Sequence, residues 1–331
     1  MIEEILANLY KIEIPLLKSP LKALNSYVIK NSERNLIIDT GWNQEECMNA
    51  MQAGLKELGV DIRKTDFFIT HLHADHLGLV SNLITDTSTI YFNQPDADRF
   101  KAGFFWDDFV SFARLNGYPE NELQAVTRSH PGFKFRSKEN LVFHILKEGD
   151  TISIGGYAFK CVETPGHTRG HMCLYEPSKK IFVAGDHILN DITPNIQLWS
   201  DGWDPLKEYL ASLDKVYEFD IELVLPGHRS IFRNCKERIQ ELKHHHEKRL
   251  DEIISILGKS SKNAFRVASQ MSWDIIYDSW DLFPVSQKWF AIGEAIAHLK
   301  YLEEKGIIRR EMRGQKIVFS SAYAGDHACV L

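Results

Sequence analysis

Short apolar runs separated by turn residues dominate the first ninety residues and predict strands. Runs at residues 27–29 and 36–38 flank a polar tetrapeptide, and a third run at 67–70 ends directly before a histidine. Residues 44–58 instead carry apolar side chains at helical spacing and are followed by Gly59, which predicts a helix with a glycine C-cap. The succession of strands and a helix indicates an α/β protein.

The middle of the chain changes its pattern twice. Residues 93–140 are rich in aromatic side chains, and Phe105, Phe109 and Phe112 lie at helical spacing, which predicts a helical insertion. Strand patterns return after the insertion, at residues 143–146, 151–154, 157–162, 172–175 and 181–184. Strands on both sides of a helical segment predict a layered α/β architecture.

The C-terminal part of the chain predicts a second domain. Residues 234–257 form one long charged helical pattern, and later helical patterns are followed by two short strands at 307–312 and 316–319, an order that resembles a winged helix. We therefore expect a first domain over residues 1–240 and a winged-helix-like domain over 241–331. The second domain holds 13 Lys and Arg against 12 Asp and Glu, so it is not a basic arm.

Composition narrows the class of protein. The 331 residues carry a net charge of −6 and are 44% hydrophobic, an ordinary globular composition for about two domains. The sequence lacks an uncharged apolar run of the roughly 18 residues that a membrane span needs, and its first residues lack the pattern of a secretory signal. The mild acidity argues against a nucleic-acid packaging protein. Five scattered cysteines fit neither a disulfide framework nor a thiolate zinc site, which favours a reduced, cytoplasmic protein.

Candidate metal ligands occur in four segments that follow apolar runs. They are His71-Leu72-His73-Ala74-Asp75-His76, residues 164–171 with His167, Gly185-Asp186, and Gly227-His228. Four ligands within the first six residues can face two adjacent metal ions. Packing alone does not require this crowding, because clustered polar side chains are costly to bury unless a cation or hydrogen bonds compensate. Imidazole and carboxylate ligands suit Zn²⁺, Fe²⁺ and Mn²⁺.

Four other histidines are interpreted as having no role in metal binding. His244, His245 and His246 lie in the charged helical pattern, where consecutive residues point in different directions, so we interpret them as a solvated face. His187 directly follows Asp186, and we expect a structural role for it.

The ligand-bearing segments resemble the motifs of the metallo-β-lactamase superfamily and are most similar to its glyoxalase II-like hydrolases. The matching motifs are the family's HxHxDH at residues 71–76, its TPGHTxGH at 164–171, its Gly-Asp at 185–186, its last histidine at 228 and its early strand-end turn at 39–41. The resemblance covers about residues 10–232 and implies an αββα sandwich with a dinuclear metal site at one edge. The C-terminal domain resembles that of the lactamase-beta-2-like subgroup and is absent from glyoxalase II.

The resemblance also implies a role for each residue. His71, His73 and His167 would hold one metal ion, Asp75, His76 and His228 would hold the other, and Asp186 would bridge them. His171 is not a family ligand and is expected to orient its loop through hydrogen bonds. The cofactors would be two divalent ions, zinc first, with iron and manganese as alternatives. The nucleophile would be a metal-bound hydroxide, and Asp75 would act both as a ligand and as the catalytic residue that positions the water.

The sequence leaves the substrate open. A small ester, thioester or lactone is the leading hypothesis, with the aromatic residues 104–112 lining an acyl pocket or packing the insertion's own core. The first alternative is a single-strand endoribonuclease or phosphodiesterase, whose substrate would be bound by the basic residues Arg309, Arg310, Arg313 and Lys316. A winged-helix transcription factor with a vestigial metal site is the second. We expect no membrane partner, and a homodimer only by analogy.

Overall fold

The computed structural model describes residues 1–103, 106–137, 140–274 and 277–322. The chain divides into two compact units. The first comprises Met1–Phe104, Pro131–Pro194 and Ser212–Ile239, and the second comprises Phe105–His130, Asn195–Ala211 and Gln240–Leu331. Within the described ranges, every helix is too short or too polar to cross a lipid bilayer.

Two sheets form the framework of the first unit. Seven strands lie side by side in chain order in the first sheet: β1 (Ile2–Leu6), β2 (Leu9–Pro15), β3 (Ala23–Ile29), β4 (Asn35–Ile38), β5 (Thr65–Phe68), β6 (Ile90–Asn93) and β7 (His144–Leu146). Strands β1 to β4 pair antiparallel, and β4 to β7 pair parallel. The second sheet has the order β12-β11-β10-β9-β8 and contains β8 (Thr151–Ile154), β9 (Tyr157–Glu163), β10 (Met172–Glu176), β11 (Ile181–Gly185) and β12 (Leu223–Pro226).

The described α-helices are numbered in chain order. They are α1 (Glu45–Leu58), α2 (Ala74–Leu77), α3 (Val80–Leu83), α4 (Gln94–Ala102), α5 (Trp106–Leu115), α6 (Glu120–Ser129), α7 (Pro131–Lys134), α8 (Pro205–Tyr217), α9 (Cys235–Leu257), α10 (Ala264–Ala268) and α11 (Val285–Glu304). Helix α1 ends at Gly59 in the left-handed conformation, as predicted for its C-cap. The insertion is helical, also as predicted, over α4 to α7.

Alternation of side chains along the strands builds the layers of the first unit. In β4, Leu36 and Ile38 belong to a buried cluster shared with the second sheet, whereas Ile37 belongs to a cluster shared with α1. Successive side chains of a strand point to opposite faces, so one strand serves both apolar layers. The layered α/β architecture expected from the sequence is confirmed, and the later strand runs match β7 to β11 within one residue at each end.

The second unit is built around α11. Trp289 of this helix is 1% exposed, and its ring stacks on that of Trp199 with centroids 3.7 Å apart. A hairpin of β13 (Ile308–Arg313) and β14 (Lys316–Ser321) follows the helix, close to the two predicted strands. Phe112 is also buried in this unit. Phe104 and Phe105 lie outside the described residues, and the winged-helix assignment stays a prediction.

The prediction of a solvated histidine face on α9 is wrong for His246. His244 is exposed, but His246 is 1% exposed and lies 3.0 Å (Nδ1 to Nε2) from His298 of α11. His298 donates from Nδ1 to the carbonyl of Glu294, and burial lowers its pKa to about 3, so its Nε2 accepts from His246. The partner of His246 lies 52 residues away in the chain. Helical spacing on α9 alone therefore could not reveal this burial.

Candidate metal centre

The candidate ligands follow the ends of strands in the first unit. His71 lies just after β5, and His73 caps α2, which carries Asp75 and His76. The other three each follow a strand of the second sheet: His167 after β9, Asp186 directly after β11, and His228 after β12. Loops at strand ends on a rigid scaffold are common positions for catalytic residues.

The structure brings all seven predicted site residues together in three overlapping sets. In each set, the candidate ligand atoms lie within 4.8 Å of one another. The sets are His71, His73 and His167; His71, His76 and Asp186; and Asp75, His76 and His228. His71 and His76 each belong to two sets, so the three sets form one continuous cluster.

The first set has a spacing that suits a divalent cation. The Nδ1 atom of His73 lies 3.0 Å from Nε2 of His71 and 2.9 Å from Nε2 of His167. Tetrahedral zinc bound at about 2.0–2.1 Å separates its nitrogen ligands by roughly 3.3 Å. Small side-chain adjustments would therefore admit a metal ion.

The second part of the cluster contains polar atoms that lack hydrogen bonds. Asp186 Oδ1 lies 3.5 Å from Nε2 of both His76 and His228, and Asp75 Oδ2 lies 3.4 Å from the same atom of His228. The atoms His76 Nε2, His228 Nε2 and Asp186 Oδ1 are buried without a hydrogen-bond partner. Buried polar atoms are normally paired, so their convergence fits a bound cation. The donor set is thus compatible with the divalent metals expected for it.

A hydrogen-bond chain through Asp39 orients two of the imidazoles. Asp39 Oδ2 accepts from the Thr70 hydroxyl at 2.8 Å and from Nδ1 of His76 at 2.7 Å. Because the Thr70 hydroxyl donates to Asp39, it accepts from Nδ1 of His71 at 3.0 Å. Each ring, when neutral, therefore points its Nε2 lone pair into the cluster, an arrangement found around metal-ligating histidines.

His228 and Asp186 are held in a similar way. His228 donates from Nδ1 to the carbonyl of Ala23 at 2.7 Å, which leaves its Nε2 as a lone pair. The backbone amide of Asp186 donates to Nε2 of His171 at 3.1 Å, and the other ring nitrogen of His171 contacts the Thr164 hydroxyl at 2.8 Å. The sequence interpretation expected His171 to orient its own loop; the structure places its ring between the Thr164 hydroxyl and the backbone amide of Asp186. His187 is fully buried, and burial lowers its pKa to about 3.

The pKa shifts differ between the first ligand set and the set of Asp75, His76 and His228. Burial and the neighbouring His167 lower the pKa of His73 to about 3, so the first set is rich in neutral imidazole. Burial also disfavours charge on His76, but Asp39 and Asp186 outweigh it and raise the pKa of His76 well above its usual value. For Asp75, burial raises the pKa, but the nearby imidazoles of His228 and His76 together outweigh it and lower the pKa to about 2. The carboxylates thus favour positive charge at the centre, as a metal cation would supply.

Asp39 is a functional candidate that sequence reasoning did not assign. The sequence marked residues 39–41 only as a strand-end turn, and the left-handed backbone of Asp39, at φ 58°, agrees with a turn. Its contacts with Thr70 and His76 depend on the parallel pairing of β4 with β5, which places the ends of these strands side by side. The sequence signal that could have identified Asp39 is a carboxylate directly after an apolar strand run, when that strand is expected to pair with the strand that leads into the histidine segment.

We expect Asp39→Asn to weaken zinc binding about 10- to 100-fold, the usual loss when the partner of a ligating histidine is changed. Asparagine tolerates the left-handed backbone but removes the charged acceptor of His76. A competition titration with a chromogenic chelator measures the affinity, and Asp61→Asn, at a partly exposed position, is the control. Unchanged affinity in Asp39→Asn would show that Asp39 does not support the ligand.

Fold and site together define the class of protein, since a cluster of His and Asp at the strand ends of a layered α/β scaffold is the arrangement of a metal-dependent hydrolase. The family model of the metallo-β-lactamase superfamily matches residues 21–228, and that of the metallo-β-lactamase-like C-terminal domain matches residues 281–321. The chain therefore belongs to the metallo-β-lactamase superfamily.

Individual relatives span most of the chain. The probable metallo-hydrolase YqjP of Bacillus subtilis is 25% identical over 305 residues, covering 89% of this chain and 92% of that protein. The atrochrysone carboxyl ACP thioesterase of Aspergillus fumigatus is 24% identical over 93% of this chain and 85% of its own. The crystal structure of a metallo-β-lactamase family protein from Thermus thermophilus superimposes with a TM-score of 0.82 at 24% identity, covering 96% of this chain and all of that one. This last similarity supports the fold alone.

Proposed function

We propose that this protein hydrolyses small esters, thioesters or lactones at a dinuclear centre of divalent metal ions. The observation that carries the proposal is the pair of ligand sets that share no residue, His71, His73 and His167 on one side and Asp75, His76 and His228 on the other. Asp186 contacts both sides, since its Oδ1 lies 3.5 Å from His76 and its Oδ2 lies 3.5 Å from His167. Two sets and one shared carboxylate suit two ions, with zinc as the expected metal.

The residues of the centre have separate roles in holding the ions and orienting the water. When bound, divalent ions supply Lewis acidity and bring the pKa of water near neutrality. His71, His73 and His167 would hold the first ion, Asp75, His76 and His228 the second, and Asp186 would bridge them. Asp75 is ionised at neutral pH and only slightly exposed, so it can also accept a hydrogen bond from the attacking water and orient it. Hydrolysis then converts the acyl bond and one water into a carboxylic acid and an alcohol or thiol.

Acyl substrates are favoured over nucleic acid by two observations. The fungal relative that spans 93% of this chain is named as a thioesterase. The basic residues of the β13–β14 hairpin also have partners within the second unit: Arg310 pairs with Asp201 at 2.7 Å, and Arg313 pairs with Glu311 at 2.5 Å. Phosphate backbones are bound by basic side chains that can exchange counterions, and paired ones contribute less. A reduced, cytoplasmic location and a homodimer stay predictions.

A turnover assay tests the proposal. The protein, purified without chelator and with its metal content counted, is offered acyl thioesters, aryl esters and lactones beside single-stranded RNA. We expect turnover of the acyl compounds only, and its loss in the double variant Asp75→Ala, His76→Ala, which removes two ligands of one ion. The double variant also controls for a contaminating hydrolase.

The other outcomes discriminate between the hypotheses. RNA cleavage that the double variant loses and that falls steeply with salt would replace the acyl hydrolase by a nuclease. Acyl turnover that persists in the double variant would disconnect the activity from the proposed centre.

A further inference from the structure

Asp96 is a deeply buried carboxylate that the proposed reaction does not use. It lies in the first turn of α4 and is 1% exposed. Burial raises its pKa to about 6, while hydrogen bonds from Thr168, Gly170 and Leu72 act in the opposite direction. Burying a carboxylate is costly unless donors surround it, so its position calls for a specific reason.

The three donors to Asp96 come from two separate histidine loops. The Leu72 amide donates to Oδ2 at 2.9 Å, and Leu72 lies between His71 and His73. The Thr168 hydroxyl donates to the same oxygen at 2.8 Å, and the Gly170 amide donates to Oδ1 at 2.8 Å. Thr168 directly follows His167. One carboxylate therefore joins the two loops that carry the first ligand set.

Close packing reinforces this junction. A Cβ atom built on Gly170 would lie 2.5 Å from the amide nitrogen of Asp96 and 2.7 Å from its Cβ and Cγ atoms. Only glycine lets the 167–170 loop approach the start of α4 this closely. The loop thus rests directly on Asp96.

The geometry of the first ligand set depends on the relative position of these two loops. His73 Nδ1 and His167 Nε2 lie 2.9 Å apart, although 94 residues separate them in the chain. Neither loop can fix that distance by itself, because one follows β5 of the first sheet and the other follows β9 of the second. A shared acceptor bonded to both loops fixes their relative position without being one of the candidate ligands.

We propose that Asp96 is a positioning residue, which locks the loop of His71 and His73 to the loop of His167 and so sets the cation affinity of that set. The inference rests on the proposed metal centre. It differs from the proposal itself because it predicts an effect mainly on one of the two ions. The donors of Asp96 directly adjoin His71, His73 and His167 in the chain, whereas Asp75, His76 and His228 are farther along the chain from them, so the second set should be affected less.

The test is a titration of the full-length apoprotein with Zn²⁺ and, for a spectroscopic readout, with Co²⁺. Asp96→Asn keeps the size of the side chain but places an amide group against one of the donors. We expect one of the two ion equivalents to bind about 10- to 100-fold more weakly and the other to change much less. Asp98→Asn is the matched control, since Asp98 lies two residues later on the same helix and is exposed.

Thr168 supplies a milder pair of variants in case Asp96→Asn does not fold. Thr168→Val removes one of the three donors and should weaken the same ion equivalent by a smaller factor, and Thr168→Ser should restore it. If folded Asp96→Asn or Thr168→Val binds both equivalents of the metal ion with wild-type affinity, Asp96 does not have the positioning role. A wild-type protein that binds no ion pair would instead overturn the proposed centre, and the inference with it.

Discussion

Replacing Asp186 by alanine should lower the bound metal and reduce hydrolysis by about 10³-fold or more, since a metal centre supplies several kcal/mol of transition-state stabilisation. Asp186 contacts histidines of both non-overlapping sets, through Oδ1 to His76 and Oδ2 to His167. Its loss leaves the buried Nε2 atom of His76 without its nearby acid and leaves His228 Nε2 with Asp75 alone. Metal counting by atomic emission and the turnover of an acyl thioester measure the two effects.

The control for this variant is Asp220→Ala, at a carboxylate that is 73% exposed and pairs at the surface with Lys180. Such surface pairs contribute little, so metal content and turnover should equal those of the wild type. If Asp186→Ala instead retains two bound ions and full activity, Asp186 is not the bridge, and the two ligand sets act independently.

Most of the framework of the first unit could be predicted from the sequence, because its strands are short apolar runs bounded by Gly, Asp and Pro. The runs at 151–154 and 181–184 correspond to β8 and β11 almost to the residue. Strand β1 carries no such signal. It is an edge strand with two exposed glutamates, and its pairing with β2 rather than its own apolar content holds it in the sheet.

The candidate ligands could also be predicted, because each is a histidine or aspartate in a compact segment after a strand. Their supporting residues were not assigned from the sequence. Asp39 and Asp96 are single acids whose contacts come from segments more than twenty residues away, and Asp96 looks like its exposed neighbour Asp98 in the sequence. His246 shows the same limit, since its burial depends on α11. Tertiary packing, not local pattern, decides which polar residue becomes buried.

The second large effect that we expect is on stability and metal binding, and it follows from replacing Gly78, in the turn after the 71–76 segment, by alanine. Gly78 caps α2, the helix that carries Asp75 and His76. A Cβ atom there would overlap the carbonyl oxygen of Ala74 and lie 2.6 Å from that of Gly41 and 2.7 Å from the amide nitrogen of Asn43. All three are backbone atoms, so relief requires the helix or the turn after β4 to move.

We therefore expect Gly78→Ala to lower the free energy of unfolding by about 3 kcal/mol, the upper part of the usual range for overpacking, and to weaken metal binding as α2 shifts. Gly54→Ala on α1 is the control for overpacking away from the centre, because a Cβ atom there would meet side-chain atoms of the buried Ile12, so it should lower stability and leave metal binding unchanged. Denaturant unfolding monitored by tryptophan fluorescence measures the stability of each variant. Metal titration of the folded variants measures the binding separately. If Gly78→Ala is as stable as the wild type and binds metal equally well, α2 can move without disturbing Asp75 and His76, and the close approach at Gly78 does not position the centre.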